Sequence, residues 1–190
     1  MKTVLIFLFF LFIDHGSYCQ LNNSYTKLSI AERMNLDRAL GKKFGNFSGK
    51  IFNSDLLITD KDLKHKVTLI TFWFSSCSPC QKEFKDLISL YQKYILDSSF
   101  QLISITFDPS DEINKTLKID SLPYTILQLP KYLCTTLDFA SGYPSNFITD
   151  REGNIAYAGS GFEIHKYDNY FQTVIIPKIN TLLSSLKKSN

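Results

Sequence analysis

The chain is poor in the residues that several common functions require. Its 190 residues hold four cysteines, three histidines and one tryptophan. A closed zinc site takes four ligands, usually from a second Cys or His pair. After residue 19, only Cys134, His65 and His165 stand outside the Cys77-Ser78-Pro79-Cys80 pair, and none of them is paired by spacing. The expectation is therefore no metal and no cofactor. A c-type haem attachment needs His directly after the second Cys, and Gln81 stands there. There is no glycine-rich phosphate loop and no nucleic-acid-binding motif. A formal charge of +3 is too small an excess to argue for a nucleic-acid or membrane-surface partner. No apolar run reaches the roughly 20 residues that span a bilayer. Internal repeats and low-complexity tracts are also missing.

What is present begins with a targeting segment. Lys2 precedes an unbroken apolar run, Val4 to Ile13, of the length of a signal-peptide core. Ser17 and Cys19 suit the small-residue positions of a cleavage site, which leaves Gln20 first. A lipid-modified Cys19 is an alternative, against which the bulky Tyr18 counts, and an uncleaved membrane anchor is another. The segment predicts export, with the periplasm of a Gram-negative bacterium as the destination. Export implies an oxidising compartment. The rest of the chain is long enough for one domain with a sizeable core, and the 44% hydrophobic and 21% charged residues of the full sequence are ordinary for a globular protein. The expected organisation is a signal peptide at 1–19, a helical extension at 20–43 and a single domain at 44–190.

The chemistry concentrates in Trp73-Phe74-Ser75-Ser76-Cys77-Ser78-Pro79-Cys80. It follows Val67 to Phe72, apolar almost throughout as a strand covered on both faces would be. It opens a helical pattern from Gln81 to Tyr94. The thiolate is the nucleophile in disulfide exchange, and a free cysteine has a pKa of about 8.5. A helix N-terminus offers unpaired N–H groups and the positive end of the macrodipole, so Cys77 is placed to lose its proton readily. Cys80, one turn in, is placed to attack a mixed disulfide on Cys77. Pro79 costs little in a first turn and stiffens the loop. A plain structural disulfide is the bland alternative. Cleavage after Cys19 leaves an odd third cysteine, Cys134, which reads as a small buried hydrophobe.

Ser29-Ile30-Ala31-Glu32 is a capping box for a short helix ending near Leu40. Phe44 to Ile58 reads as short strands, with a turn at Gly49-Lys50. Asp60 to Lys66 is a charged link in which His65 is solvated. The helix after Cys80 places Cys80, Phe84, Leu87, Ile88, Tyr91 and Ile95 on one stripe. Glu83 falls beside it, below Cys80. Two readings of Glu83 stand side by side: a partly buried carboxylate able to exchange a proton with Cys80, or an ordinary first-turn acid favoured by the helix dipole. Phe100 to Phe107 is a second strand, and Asp108 to Asp111 caps a helix from Glu112 to Ile119. This makes a βαβ unit. A short strand from Tyr124 to Leu129 and a helix from Lys131 to Phe139 follow. Asn146 to Thr149 and Asn154 to Ala158 form a hairpin around Asp150-Arg151-Glu152-Gly153. Pro144 stands at its entry, a place where a cis bond would be purposeful. A helix from about Tyr167 to Lys187, kinked or split in two by Pro177, ends the chain.

Phe72-Trp73, Cys77-Ser78-Pro79-Cys80 with Gln81-Lys82-Glu83, and Gly142-Tyr143-Pro144-Ser145-Asn146-Phe147-Ile148-Thr149-Asp150 with Gly153 together resemble the thioredoxin superfamily. More narrowly, they resemble its exported TlpA/ResA-like branch in bacteria, over roughly residues 44 to 187. The resemblance implies an α/β, three-layer fold with a mixed central sheet flanked by helices. It implies a Cys77–Cys80 redox disulfide, with Cys77 attacking and Cys80 resolving, and Glu83 as an acid that modulates them. Pro144 would be the cis-proline beside the pair, and Tyr143 would pair with an extended substrate segment. Trp73, Ser78 and Pro79 would complete the substrate-binding face. It further implies a monomeric reductant of protein disulfides, for example in cytochrome c maturation, fed by an upstream membrane electron donor. Three positions depart from the branch. Ser76 replaces a tryptophan, Thr71 replaces the buried Asp of cytosolic thioredoxins, and Lys85 replaces a proline.

Two other classes of function compete. One is a binding or metal-chaperone module on the same scaffold, since fold alone does not give function. The intact cysteine pair argues against it. The other is a thiol peroxidase, which would want a Thr-x-x-Cys setting; Thr71 lies too far upstream of Cys77.

Overall fold

The computed structural model describes residues 35–119, 121–160 and 169–185. The targeting segment, the capping box at Ser29 to Glu32, and His165 lie outside the described residues. Of the expected N-terminal helix, residues 35–39 are described and are helical.

The strands are β1 (Ser48–Ile51), β2 (Leu57–Thr59), β3 (Val67–Trp73), β4 (Phe100–Thr106), β5 (Thr125–Gln128), β6 (Ser145–Thr149) and β7 (Ile155–Ser160). They form one mixed sheet in the order β2-β1-β5-β4-β3-β6-β7. The helices are α1 (Ser78–Tyr94), α2 (Ser110–Ile119), α3 (Lys131–Leu137) and α4 (Ile176–Ser184), with a π-helical turn, Phe171–Ile175, leading into α4. This is the three-layer α/β arrangement the resemblance implies.

Strand β3 is the spine. It pairs parallel with β4 and antiparallel with β6, and all seven of its residues are buried. Its alternation divides the core. Leu69 and Trp73 face the layer holding α1, Leu117 of α2 and the C-terminal helix. Ile70 and Phe72 face the layer holding residues 36 and 39 and α3. Burying each such large apolar side chain contributes about 1.5–3 kcal/mol, so the spine is among the firmest parts of the molecule. Thr71 falls on the α1 face by the same alternation, in register with Asn146 of β6.

Some expectations need correction. Gly49-Lys50 is no turn; both residues lie within β1. A Cβ at Gly49 would sit 2.8 Å from Leu129 Cδ2, so glycine serves close packing there. The reversal comes later, at Asn53 (φ 57°), Ser54 and Asp55. The charged link from Asp60 contains a 3-10 turn, Asp60–Leu63, pinned by Asp62 accepting from the Thr59 N–H and hydroxyl, and it buries Leu63. The stripe of α1 is rotated from the expected one. Cys80, Glu83, Phe84, Leu87, Leu90 and Tyr94 are buried, whereas Ile95 is 56% exposed because the helix ends at Tyr94. Asp108 does not cap α2; its carboxylate turns to Ser75 instead. Pro177 neither breaks nor splits the last helix at its own position. The preceding turn widens, the Ile176 N–H reaching the Phe171 carbonyl, and the missing proline N–H falls in the first turn of α4.

The hairpin is as expected, with Gly153 at φ 79° and Asp150 Oδ1 accepting from the Glu152 and Asn154 N–H groups. His65 is exposed at the end of the Asp60 turn, in the left-handed region at φ 67°, its N–H bonded to the Arg151 carbonyl.

Candidate redox site at the head of the first long helix

Cys77 and Cys80 are joined in a disulfide. Cys77 is the N-cap of α1, and its Sγ accepts the Cys80 N–H at 3.2 Å. One of the helix's orphan donors thus points at the sulfur that would carry negative charge after reduction. Both sulfurs are largely covered, while Ser76, Ser78 and Pro79 around them are exposed.

The loop ahead of Cys77 is held by groups from three elements. The Ser75 N–H and hydroxyl both donate to Asp108 Oδ2, at the end of β4. Gln81 Nε2, in the first turn of α1, donates to the Ser75 carbonyl at 2.6 Å. Gln128 Nε2, at the end of β5, donates to the Asp108 carbonyl at 2.6 Å. Parallel pairing of β3, β4 and β5 brings these strand ends together.

Glu83 lies three residues beyond Cys80 on the buried face of α1 and is 4% exposed. Burial pushes its carboxyl up to about 8, helped by the charge of Asp86 and opposed by hydrogen bonds from Asn146. Asn146 Nδ2 donates to both carboxyl oxygens at 3.3 Å. A carboxyl with a pKa near that of a thiol can exchange a proton with one at little cost. Glu83 is thus a buried carboxyl, not an exposed first-turn acid.

The Tyr143–Pro144 peptide bond is cis. Ser145 pairs with Phe72 and β6 runs antiparallel to β3, so Pro144 arrives at the end of the sheet from which the Cys77 loop departs. Tyr143 packs edge-on against Phe74 (5.4 Å) and Phe107 (5.8 Å), which stack on each other at 5.6 Å. Burial first, then the charges of Asp138, Cys134 and Asp108, raise the Tyr143 hydroxyl well above the ordinary phenol range. Trp73 is a correction. It is buried, with its ring edge-on to Phe84 at 5.2 Å, so its side chain offers a substrate nothing to touch. It braces the start of α1 instead.

Cys134 is fully buried on the opposite face, with its Sγ 3.8 Å from the Leu129 carbonyl. Burial and the charge of Asp138 push its thiol up to about 12. Sequence reasoning missed Asp108, Asn146, Phe74 and Phe107. Only Asn146 carried a usable signal, an amide in the interior of a buried strand. Among the described residues no group of three or more His, Cys, Asp and Glu is gathered as a metal site would require. No helix among them is long and apolar enough to cross a membrane.

A mixed sheet with a disulfide capping the helix that leaves its central strand, and a cis-proline leading into the neighbouring strand at the same end, defines a thioredoxin-like protein. Residues 40–158 match the model of the AhpC/TSA family, and the chain belongs to that family. It is 31% identical over 129 residues to the thiol:disulfide interchange protein HelX of Rhodobacter capsulatus, covering 66% of each chain. It is 29% identical over 99 residues to the thiol-disulfide oxidoreductase ResA of Bacillus anthracis, covering 50% of this chain and 55% of that one. It thus spans just under two thirds of the first relative and little more than half of the second. A crystal structure of a Chlorobium tepidum protein proposed to be the thiol:disulfide interchange protein DsbE superposes with a TM-score of 0.66 at 22% identity, over 76% of this chain and 97% of that one. At that identity the likeness speaks for the fold.

Proposed function

We propose that the protein is an exported thiol–disulfide oxidoreductase that reduces disulfides in other proteins. The observation that carries this reading is the Cys77–Cys80 disulfide at the N-terminus of α1, with the buried Glu83 carboxyl one turn below. The names of the relatives support it.

In the reduced protein, the Cys77 thiolate attacks one sulfur of a substrate disulfide. The substrate S–S bond breaks, the other substrate sulfur leaves as a thiolate and takes a proton, and Cys77 is left in a mixed disulfide. The Cys80 thiol passes its proton to the Glu83 carboxylate, and the resulting thiolate attacks Cys77 Sγ. The mixed disulfide breaks and the second substrate thiolate departs. Two electrons have moved to the substrate, and Cys77 and Cys80 are oxidised to the disulfide. An upstream membrane electron donor resets the pair. The cis Tyr143–Pro144 segment, with Ser78 and Pro79, forms the surface on which an extended substrate segment lies. The apolar segment at the N-terminus supports export to a periplasm, and the resemblance to the ResA-like branch supports a monomer that serves cytochrome c maturation.

Two measurements on the full chain test this. Equilibration in dithiothreitol and glutathione buffers gives the reduction potential. A reversible two-electron couple towards the thioredoxin end, about −270 mV, supports a reductant, and one near the DsbA end, about −120 mV, an oxidant. Absence of a reversible couple overturns the redox reading. Cys80→Ser is expected to trap a substrate on Cys77 as a stable, dithiothreitol-sensitive adduct, which Cys77→Ser cannot form.

A further inference from the structure

Asn146 occupies an unusual place for an amide. It lies in the interior of a buried strand, flanked by Thr71 on β3 and Gly159 on β7. Its Nδ2 is shared between the two oxygens of Glu83 at equal distances of 3.3 Å, while its own Oδ1 accepts nothing among the described residues. A buried acceptor without a donor carries a desolvation penalty, and native structures rarely leave one idle. A carboxylate offers only acceptors, so in that state Nδ2 alone can serve it. A carboxylic acid offers one O–H donor and one carbonyl acceptor, which match an amide's acceptor and donor.

We propose that Asn146 is a positioning residue that holds Glu83 in both of its protonation states and so sets how readily Glu83 takes the proton of Cys80. This rests on the oxidoreductase reading above. With Glu83 ionised, Nδ2 serves both oxygens from its place 3.3 Å from each. When the Cys80 S–H breaks and the proton forms an O–H on Glu83, a small in-plane rotation of the amide closes a cyclic pair. The new O–H donates to Oδ1, and Nδ2 donates to the other oxygen. The idle Oδ1 then has its donor, so the acceptor left unmatched beside the carboxylate is matched beside the acid. The hydrogen-bond partner of Glu83 on the neighbouring strand, Asn146, is uncharged, and Asp86 on α1 is the charged group whose field reaches it. Asn146 is thus the polar side chain that decides between the two states.

The test uses the full chain, reduced and then capped on Cys77 with nitrothiobenzoate. Cys80 attacks Cys77 Sγ, the bond to nitrothiobenzoate breaks, and its coloured thiolate leaves. No outside oxidant is needed. The single-turnover release rate is followed from pH 6 to 10. Wild type is expected to show an inflection from Glu83 that is missing in Glu83→Gln. In Asn146→Leu the inflection moves by about one pH unit, a tenfold change in proton affinity, because the single donor lost by the carboxylate and the cyclic pair lost by the acid are unequal. In the Glu83→Gln background, Asn146→Leu leaves the profile where Glu83→Gln put it. Asn146→Asp, which keeps the size and guards against a folding defect in the leucine variant, turns the single inflection into two, as two carboxyls come to share one proton. Profiles of both Asn146 variants that overlay wild type would overturn the proposal. If wild type itself releases no thiolate, the oxidoreductase reading fails first, so the two failures are told apart.

Discussion

Replacing Glu83 by Gln separates stability from pH in a way that can be worked out beforehand. The carboxyl ordinarily titrates near 4.5, and burial pushes it up to about 8 in the folded protein. Between those values the native state holds a proton that the unfolded chain has released. Unfolding then releases that proton, so stability falls as pH rises through this window. Below about 4.5 both states are protonated and nothing is lost. Above about 8 the full cost of an ionised carboxyl at 4% exposure is present. The gap between 4.5 and about 8, at about 1.36 kcal/mol per unit, comes to about 5 kcal/mol. Water reaching the carboxylate in the native state would lower this to about half. Gln keeps the shape and cannot ionise. Oxidised wild type and Glu83→Gln, unfolded in urea from pH 5 to 9, are therefore expected to lie within about 1 kcal/mol of each other at pH 5 and to diverge to about 2–5 kcal/mol at pH 9, the variant being the more stable. Keeping the disulfide closed removes the thiols of Cys77 and Cys80 from the titration. Asp138, which burial raises to about 7, contributes a slope of the same sign, but to both proteins, and it cancels in the difference. Two curves that run parallel across the whole range would refute the argument that Glu83 is buried uncharged.

Two further changes probe the frame around the site. Asp108→Ala removes the acceptor for both the N–H and the hydroxyl of Ser75. Leaving those donors unmatched should cost about 1–3 kcal/mol in a urea melt, and should slow closure of the Cys77–Cys80 disulfide in the nitrothiobenzoate assay about tenfold, because the Cys77 loop loses its anchor. Unchanged closure kinetics would show that the helix alone places Cys77. Gly159→Ala puts a methyl group 2.5 Å from the Tyr157 hydroxyl and 2.6 Å from that of Tyr170, which bond each other at 2.8 Å. The expected loss is about 1–3 kcal/mol of stability with the reduction potential unmoved, and a thermal melt matching wild type would show that the two tyrosines can part at no cost.

The sequence shows the cysteine pair, its strand and its helix because each announces itself locally. Val67 to Trp73 is an almost wholly apolar run that follows a charged link, and Pro79 suits a first turn. Gly153 stands where a tight hairpin needs a positive φ. Features that depend on a distant partner are hidden. Gly49 looks like a turn residue until Leu129 is seen against it. Asp108 looks like a helix cap, and only the parallel pairing of β3 and β4 shows that Ser75 competes for its carboxylate and wins. On α1, periodicity alone cannot say which polar residue the apolar stripe takes in. The sheet decides this by offering Glu83 a partner in Asn146, 63 positions away in sequence. Trp73 reads as a surface residue by its place beside the cysteines, yet the strand's alternation turns it inward onto Phe84.

The antiparallel pairing of β3 with β6 has a bearing on how this chain can vary. The two halves of the site come from segments that only five paired positions keep in step, Thr68 with Thr149 through Phe72 with Ser145. Because side chains alternate, sliding β6 by a single residue would turn Asn146 away from α1 and bring Phe147 round in its place. The loops between the halves can lengthen or shorten without disturbing that alignment, since their growth is absorbed at the surface. The surface loops between the halves are thus free to change, while an insertion or deletion within residues 145–149 would be felt at the cysteines. In that sense the ladder between two strands, more than any one side chain, works as the molecule's reading frame.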